Sequence, residues 1–152
     1  MSERIDYKKT SPRAFAAMLA LEQAVHGFGL EPLLLELVKT RASQLNGCAF
    51  CLDMHTRDAL AQGETAQRLL LLPAWRETGL YSGRERAALA WTEALTLVHD
   101  DYVPDAVYEQ ASSAFTPQEL VELSLAIVAI NGWNRLSVAF RMPLPEAQAG
   151  PA

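Results

Sequence analysis

The sequence predicts an all-α protein, a single domain over 1–152 built as a helical bundle of six to seven helices. Helix-start residues stand ahead of apolar runs along the whole chain. Within those runs the apolar residues recur at spacings of three and four. No stretch alternates apolar and polar residues for long enough to make a strand. The 152 residues suit one domain and can bury a core without staples. That core is expected over about 12–141, with 1–10 and 142–152 as flexible tails.

Ser11-Pro12 opens the first helix as an N-cap followed by proline in the first turn. Phe15, Met18, Leu19 and Val25 line one side of it, and Gly27 or Gly29 stops it. Pro32 opens the second helix, which carries Leu34, Leu37, Val38, Arg41 and Leu45 on one face. Asn46-Gly47 closes it, because glycine accepts the left-handed conformation at a helix end. A third helix runs from near Cys48 to about Gln62, and a short one covers 64–72. The segment 73–81 reads as a connector containing Trp75. Ser82 caps a helix over 83–99, and Pro104 opens one over 103–114. Thr116-Pro117-Gln118-Glu119 is a capping box that starts a long apolar helix to about Arg141.

Half the residues are hydrophobic, which fits a core together with a subunit interface. Thirteen basic and eighteen acidic residues give a net charge of -5, with the signs mixed. A chain of that balance is repelled by phosphate backbones, so nucleic acid is not an expected partner. The polar start of the chain has no apolar secretory core. The longest apolar stretch, 123–130, is too short to span a bilayer. The expected setting is the cytoplasm, without membrane attachment. There are two cysteines, three positions apart. In a reducing compartment such a pair is more often catalytic or metal-binding than structural.

Cys48, Cys51 and His55 are spaced i, i+3 and i+7, which sets them on one helix face. Both sulfurs fall in the first turn, where unpaired N–H groups and the helix dipole favour a thiolate. His55 can take the proton. If Asn46-Gly47 makes a tight turn, the second and third helices form a hairpin. Glu36 then stands about 16 Å from the turn and His55 about 12 Å, at ~1.5 Å per residue. A carboxylate behind an imidazole orients it and stabilises its charged form. The expected chain runs from Glu36 to His55 to Cys51. Thiolate attack on a peroxide yields a sulfenic acid, the second cysteine condenses with it, and an external dithiol restores the pair. Cys51, nearest His55, is expected to attack and Cys48 to resolve. The reverse stays open, because the first cysteine of such a pair is often the more exposed.

At these residues the chain resembles the alkylhydroperoxidase D group of the carboxymuconolactone decarboxylase family. The group's pattern is Glu, eleven residues, C-x-x-C, three residues and His, which Glu36, Cys48, Cys51 and His55 match without a gap. The stretch 34–62 and the segments 72–76, 84–90 and 130–135 are similar to small bacterial members. The resemblance implies an alkylhydroperoxidase D-like fold, assembly as trimers or hexamers, and reduction of a hydroperoxide substrate without a bound cofactor or metal. It also implies a lipoylated protein as the external dithiol. Those members carry a second histidine just before the second cysteine, where this chain has Phe50; the change bears on rate and peroxide preference. The family's decarboxylase branch lacks the cysteine pair, so lactone decarboxylation fits poorly.

Two alternatives stand beside this. The cysteines could serve disulfide exchange or redox sensing with protein thiols. They could also hold structural zinc with His55, a fourth ligand coming from His26, His99 or Asp53. Glu36 on its own could be a surface residue paired with Lys39 or Thr40. Arg41 is a candidate for a subunit contact, and Trp133 for a pocket wall.

Overall fold

The structure, a computed structural model, describes residues 2–145. Among the described residues there are nine α-helices, one 3-10 segment and no strand. They are α1 (Tyr7–Thr10), α2 (Pro12–His26), α3 (Pro32–Asn46), α4 (Ala49–Ala61) and α5 (Ala66–Leu71), then the 3-10 segment (Leu72–Glu77). After it come α6 (Gly83–Thr96), α7 (Val98–Asp101), α8 (Asp105–Ala114) and α9 (Pro117–Phe140). The all-α class holds. The count exceeds six to seven because α1 and α7 are single turns, too short to show a period in sequence. The expected helix over 83–99 breaks at Leu97, whose φ of -104° and ψ of 37° leave the helical region.

Local chemistry accounts for most boundaries. Ser82 and Thr116 each accept from the backbone N–H three residues on, while Glu85 and Glu119 accept from the cap's own N–H, so both are complete capping boxes. Proline stands in the first turn of α2, α3 and α9. Ser11 occupies the cap of α2 without a side-chain hydrogen bond. Gly47 ends α3 at φ +64°, the left-handed value its position requires.

The middle of the bundle is α3, which packs against α4, α6 and α9. Two buried clusters flank it, one holding Leu37 and Leu89 and the other Leu123 and Ile127, each of these at most 1% exposed. Burying each such side chain contributes roughly 1.5–3 kcal/mol of transfer free energy. By length and composition α9 could cross a membrane. It lies against α2, α3 and α6, with Val121, Val128 and Val138 left exposed. Gly132 lets α2 approach closely, since a Cβ there would stand 2.9 Å from Met18 Cε.

Arg41 has a partner inside the chain: its Nε donates to Glu93 Oε1 at 2.8 Å, an oxygen that also accepts from Trp75 Nε1. One expectation changes. Residues 2–10 are not a free tail. Arg4 donates from its backbone to Phe140 O and from its side chain to Ala139 O, which straps the segment to the end of α9. Asp6 caps α1, and Tyr7 is buried. At the other end 142–145 has no regular structure, and the rest of the expected tail, 146–152, lies outside the described residues.

Candidate active site

The turn at Gly47 folds α4 back along α3 and makes Cys48 the N-cap of α4. Cys48 Sγ accepts from the backbone N–H of Cys51 at 3.4 Å. The two sulfurs, both reduced, lie 2.7 Å apart. Farther along the hairpin His55 Nδ1 meets Glu36 Oε2 at 2.8 Å. Glu36 is 6% exposed and His55 5%, so this is a buried pair and not a surface carboxylate beside Lys39 or Thr40. With Glu36 ionised, Nδ1 carries the proton and Nε2 is left as the basic nitrogen.

The far side of the dithiol is closed by α9. Ser137 Oγ lies 3.9 Å from Cys51 Sγ. Asn134, fully buried, donates to Ser43 Oγ and accepts from Asn46 Nδ2 at 2.8 Å. Asn131 Oδ1 accepts from the same Asn46 nitrogen at 2.9 Å. Two asparagines of α9 thus hold the turn that presents the cysteines.

One negative charge is favoured on the pair. The Cys51 thiol donates to Cys48, and the Cys51 backbone N–H adds to it, against the opposing effect of burial. Together they bring Cys48 down from its ordinary value to about 6. Cys51 is pushed up, first because its proton is held by Cys48, then by burial and by the charge beside it. The resting thiolate is therefore on Cys48, and Cys51 keeps the shared proton.

The sulfurs open to different cavities. Cys51 lines one of about 310 Å³ together with His55, Glu36, Tyr7, Phe50 and Trp133. Cys48 lines a second, of about 550 Å³, between the start of α4 and the segment after α9. Phe50 and Ser137 border both. Trp133 does wall the first cavity, and its Nε1 donates to Glu22 Oε2. Glu22 also pairs with Lys39, which is 1% exposed, and with His26 at 3.3 Å.

Among the described residues, the side chains whose ligand atoms gather within 4.8 Å of one another are Glu36, His55 and Asp58. The sulfurs stand outside that group, so a zinc site of Cys48, Cys51 and His55 has no support in the geometry. Asp53 pairs with Arg57, and His99 with Asp100, both on the surface.

Glu36 meets His55 and Cys48 meets Cys51 as the spacing predicts, whereas among the described residues no hydrogen bond joins His55 to either sulfur, and the expected link to Cys51 is reduced to a shared cavity. Tyr7, Ser137, Asn134 and the Glu22–Lys39 pair carried no expectation. One signal existed for α9: Asn131, Asn134 and Ser137 recur every third residue in the second half of a largely apolar helix.

The carboxymuconolactone decarboxylase family model matches residues 12–94, which takes in α2 through most of α6 and the whole hairpin that carries the cysteines. The chain belongs to this family. Its fold is of the alkylhydroperoxidase D type. It is 42% identical to the uncharacterized protein YdfG of Bacillus subtilis (strain 168), over 91% of this chain and 95% of that one. The crystal structure of ATU0492 from Agrobacterium tumefaciens, a protein of unknown function named for antioxidant defence (AhpD), superposes with a TM-score of 0.93. It is 43% identical, covering 95% of this family member and 99% of that chain. A peroxidase-related protein from Ralstonia eutropha JMP134 shares the fold at 18% identity and a TM-score of 0.80, over 91% and 74% of the two chains.

Proposed function

We propose that this protein is a thiol-dependent peroxidase that reduces alkyl hydroperoxides through Cys48 and Cys51. The observation that carries the reading is one cavity faced by Cys51 and by the buried Glu36–His55 pair. Its family and its likeness to a protein of unknown function that is named for antioxidant defence support an oxidoreductase of this kind. Cys51 attacks the outer peroxide oxygen and passes its proton to the Cys48 thiolate 2.7 Å away. The O–O bond breaks, leaving a sulfenic acid on Cys51 and an alkoxide. Cys48 then attacks the sulfenic sulfur, the S–S bond forms, and water departs. His55, oriented by Glu36, stabilises the anionic pair and relays protons. An external dithiol, such as a lipoylated protein, returns two electrons.

Exchange with protein disulfides is less well supported, because each sulfur is 1% exposed. The reading includes a cytoplasmic setting, where dithiols are kept reduced. It also includes a homo-oligomer, trimer or hexamer, with exposed apolar residues such as Leu70 and Val121 available for contact.

The test mixes reduced protein with cumene hydroperoxide and counts thiols and alcohol. Two thiols lost and one alcohol formed per turnover are expected, with no disulfide in Cys51→Ser and a slowed reaction in His55→Ala. Thiols that survive a peroxide excess overturn the proposal.

A further inference from the structure

The attack leaves a strongly basic alkoxide in the cavity, and something must protonate it. Phe50, between the two cysteines, lines the cavity but offers no proton. His55 points its Nδ1 proton at Glu36 and turns a basic nitrogen, not an acid, to the site, while Lys39 is paired with Glu22. Lys8 sits over the rings of Phe15 and Phe50, at 5.6 and 5.9 Å from their centroids.

Tyr7 is placed differently. It is the one buried residue of α1, a single turn that would have no fold of its own. The turn is held by the Asp6 cap and by the strap from Arg4 to the end of α9. The ring packs between Phe15 and Phe140, at centroid distances of 6.2 and 5.7 Å. The phenol lines the same cavity as Cys51 and the Ser137 hydroxyl. That hydroxyl is the one 3.9 Å from Cys51 Sγ. Burial keeps the phenol protonated beyond its ordinary range; Ser137 opposes it, and negative charge at the nearby sulfur pair adds to it more weakly.

We infer that Tyr7 is the general acid of the peroxide step, with Ser137 as its positioning residue; this rests on the peroxidase reading above. As Cys51 takes the outer oxygen, the O–O bond gives its electron pair to the inner oxygen. Tyr7 transfers its proton to that oxygen, and the alcohol leaves. The phenolate recovers a proton from water at the cavity mouth, where the exposed Asp58 and His26 stand. The sum is one dithiol monoanion, one hydroperoxide and one proton giving disulfide, alcohol and water.

The test uses the full chain and two oxidants of different leaving group. Cumene hydroperoxide leaves as a basic alkoxide; peracetic acid leaves as acetate, which needs no proton. Tyr7→Phe keeps the ring and removes the acid. Its rate of disulfide formation should fall roughly 10- to 100-fold with cumene hydroperoxide and change little with peracetic acid. Ser137→Ala should show the same selective loss to a smaller degree. Equal losses with both oxidants, or no loss with either, overturn the assignment and leave Tyr7 a packing residue. A wild type that consumes neither oxidant overturns the peroxidase reading itself, and this inference with it.

Discussion

Two arms reach the dithiol, and they are built on opposite principles. The Glu36–His55 arm is charged, buried and local: its residues are 19 apart and belong to helices joined by one turn. The Tyr7–Ser137 arm is uncharged and comes from the first and last helices, α1 and α9, which both line the cavity. The first is suited to holding a thiolate and orienting a base. The second offers protons without adding charge beside the anion. A site that must both stabilise an anionic nucleophile and neutralise an anionic leaving group gains from keeping these tasks on separate walls.

The comparison sharpens most at Glu36. Glu36→Gln preserves size and a hydrogen-bonding atom beside His55 but removes the charge. The reaction should slow roughly 10- to 100-fold with cumene hydroperoxide and peracetic acid alike, unlike the leaving-group-selective loss expected at Tyr7. Stopped-flow thiol titration with both oxidants checks this, and a loss confined to one oxidant breaks the division of labour.

A smaller effect, set by pH, tests where the charge resides. With Cys48 at about 6, thiolate persists above that pH and is lost below it. Alkylation by iodoacetamide should be nearly flat from pH 7 to 8 and fall roughly tenfold per unit well below pH 6. Mass mapping should find the first adduct on Cys48. A midpoint near the ordinary thiol value would remove the shared proton from the account.

The hairpin arm was readable because its geometry is local. Three residues at i, i+3 and i+7, a glycine turn and a fourth residue at matching height are set by helix dimensions alone. Both capping boxes and the proline-led helix starts were readable for the same reason. The strap was not: Tyr7 stands in a polar run, in a helix of four residues, and its neighbours Phe140 and Ser137 are more than 120 positions away. No periodicity encodes such a contact. Arg41 shows the same limit, since its side of the helix was evident and its partner Glu93, on α6, was not.

The smallest effect concerns the turn. An alanine at Gly47 would meet nothing within 4 Å, so the cost is the positive φ alone. Gly47→Ala should destabilise the fold by about 1 kcal/mol, read as a shift in the urea midpoint with an unchanged slope. A larger cost would show that the asparagines of α9 hold the turn too rigidly to relax.

The family match begins at Pro12, the first residue of α2. Anyone trimming the gene to that boundary would keep both cysteines, Glu36 and His55, and would have every reason to expect an intact enzyme. The cut would nonetheless excise the phenol, uncover the rings of Phe15 and Phe140, and free the carbonyls that Arg4 holds. For cloning and tagging, residues 2–10 belong with the fold they are strapped to.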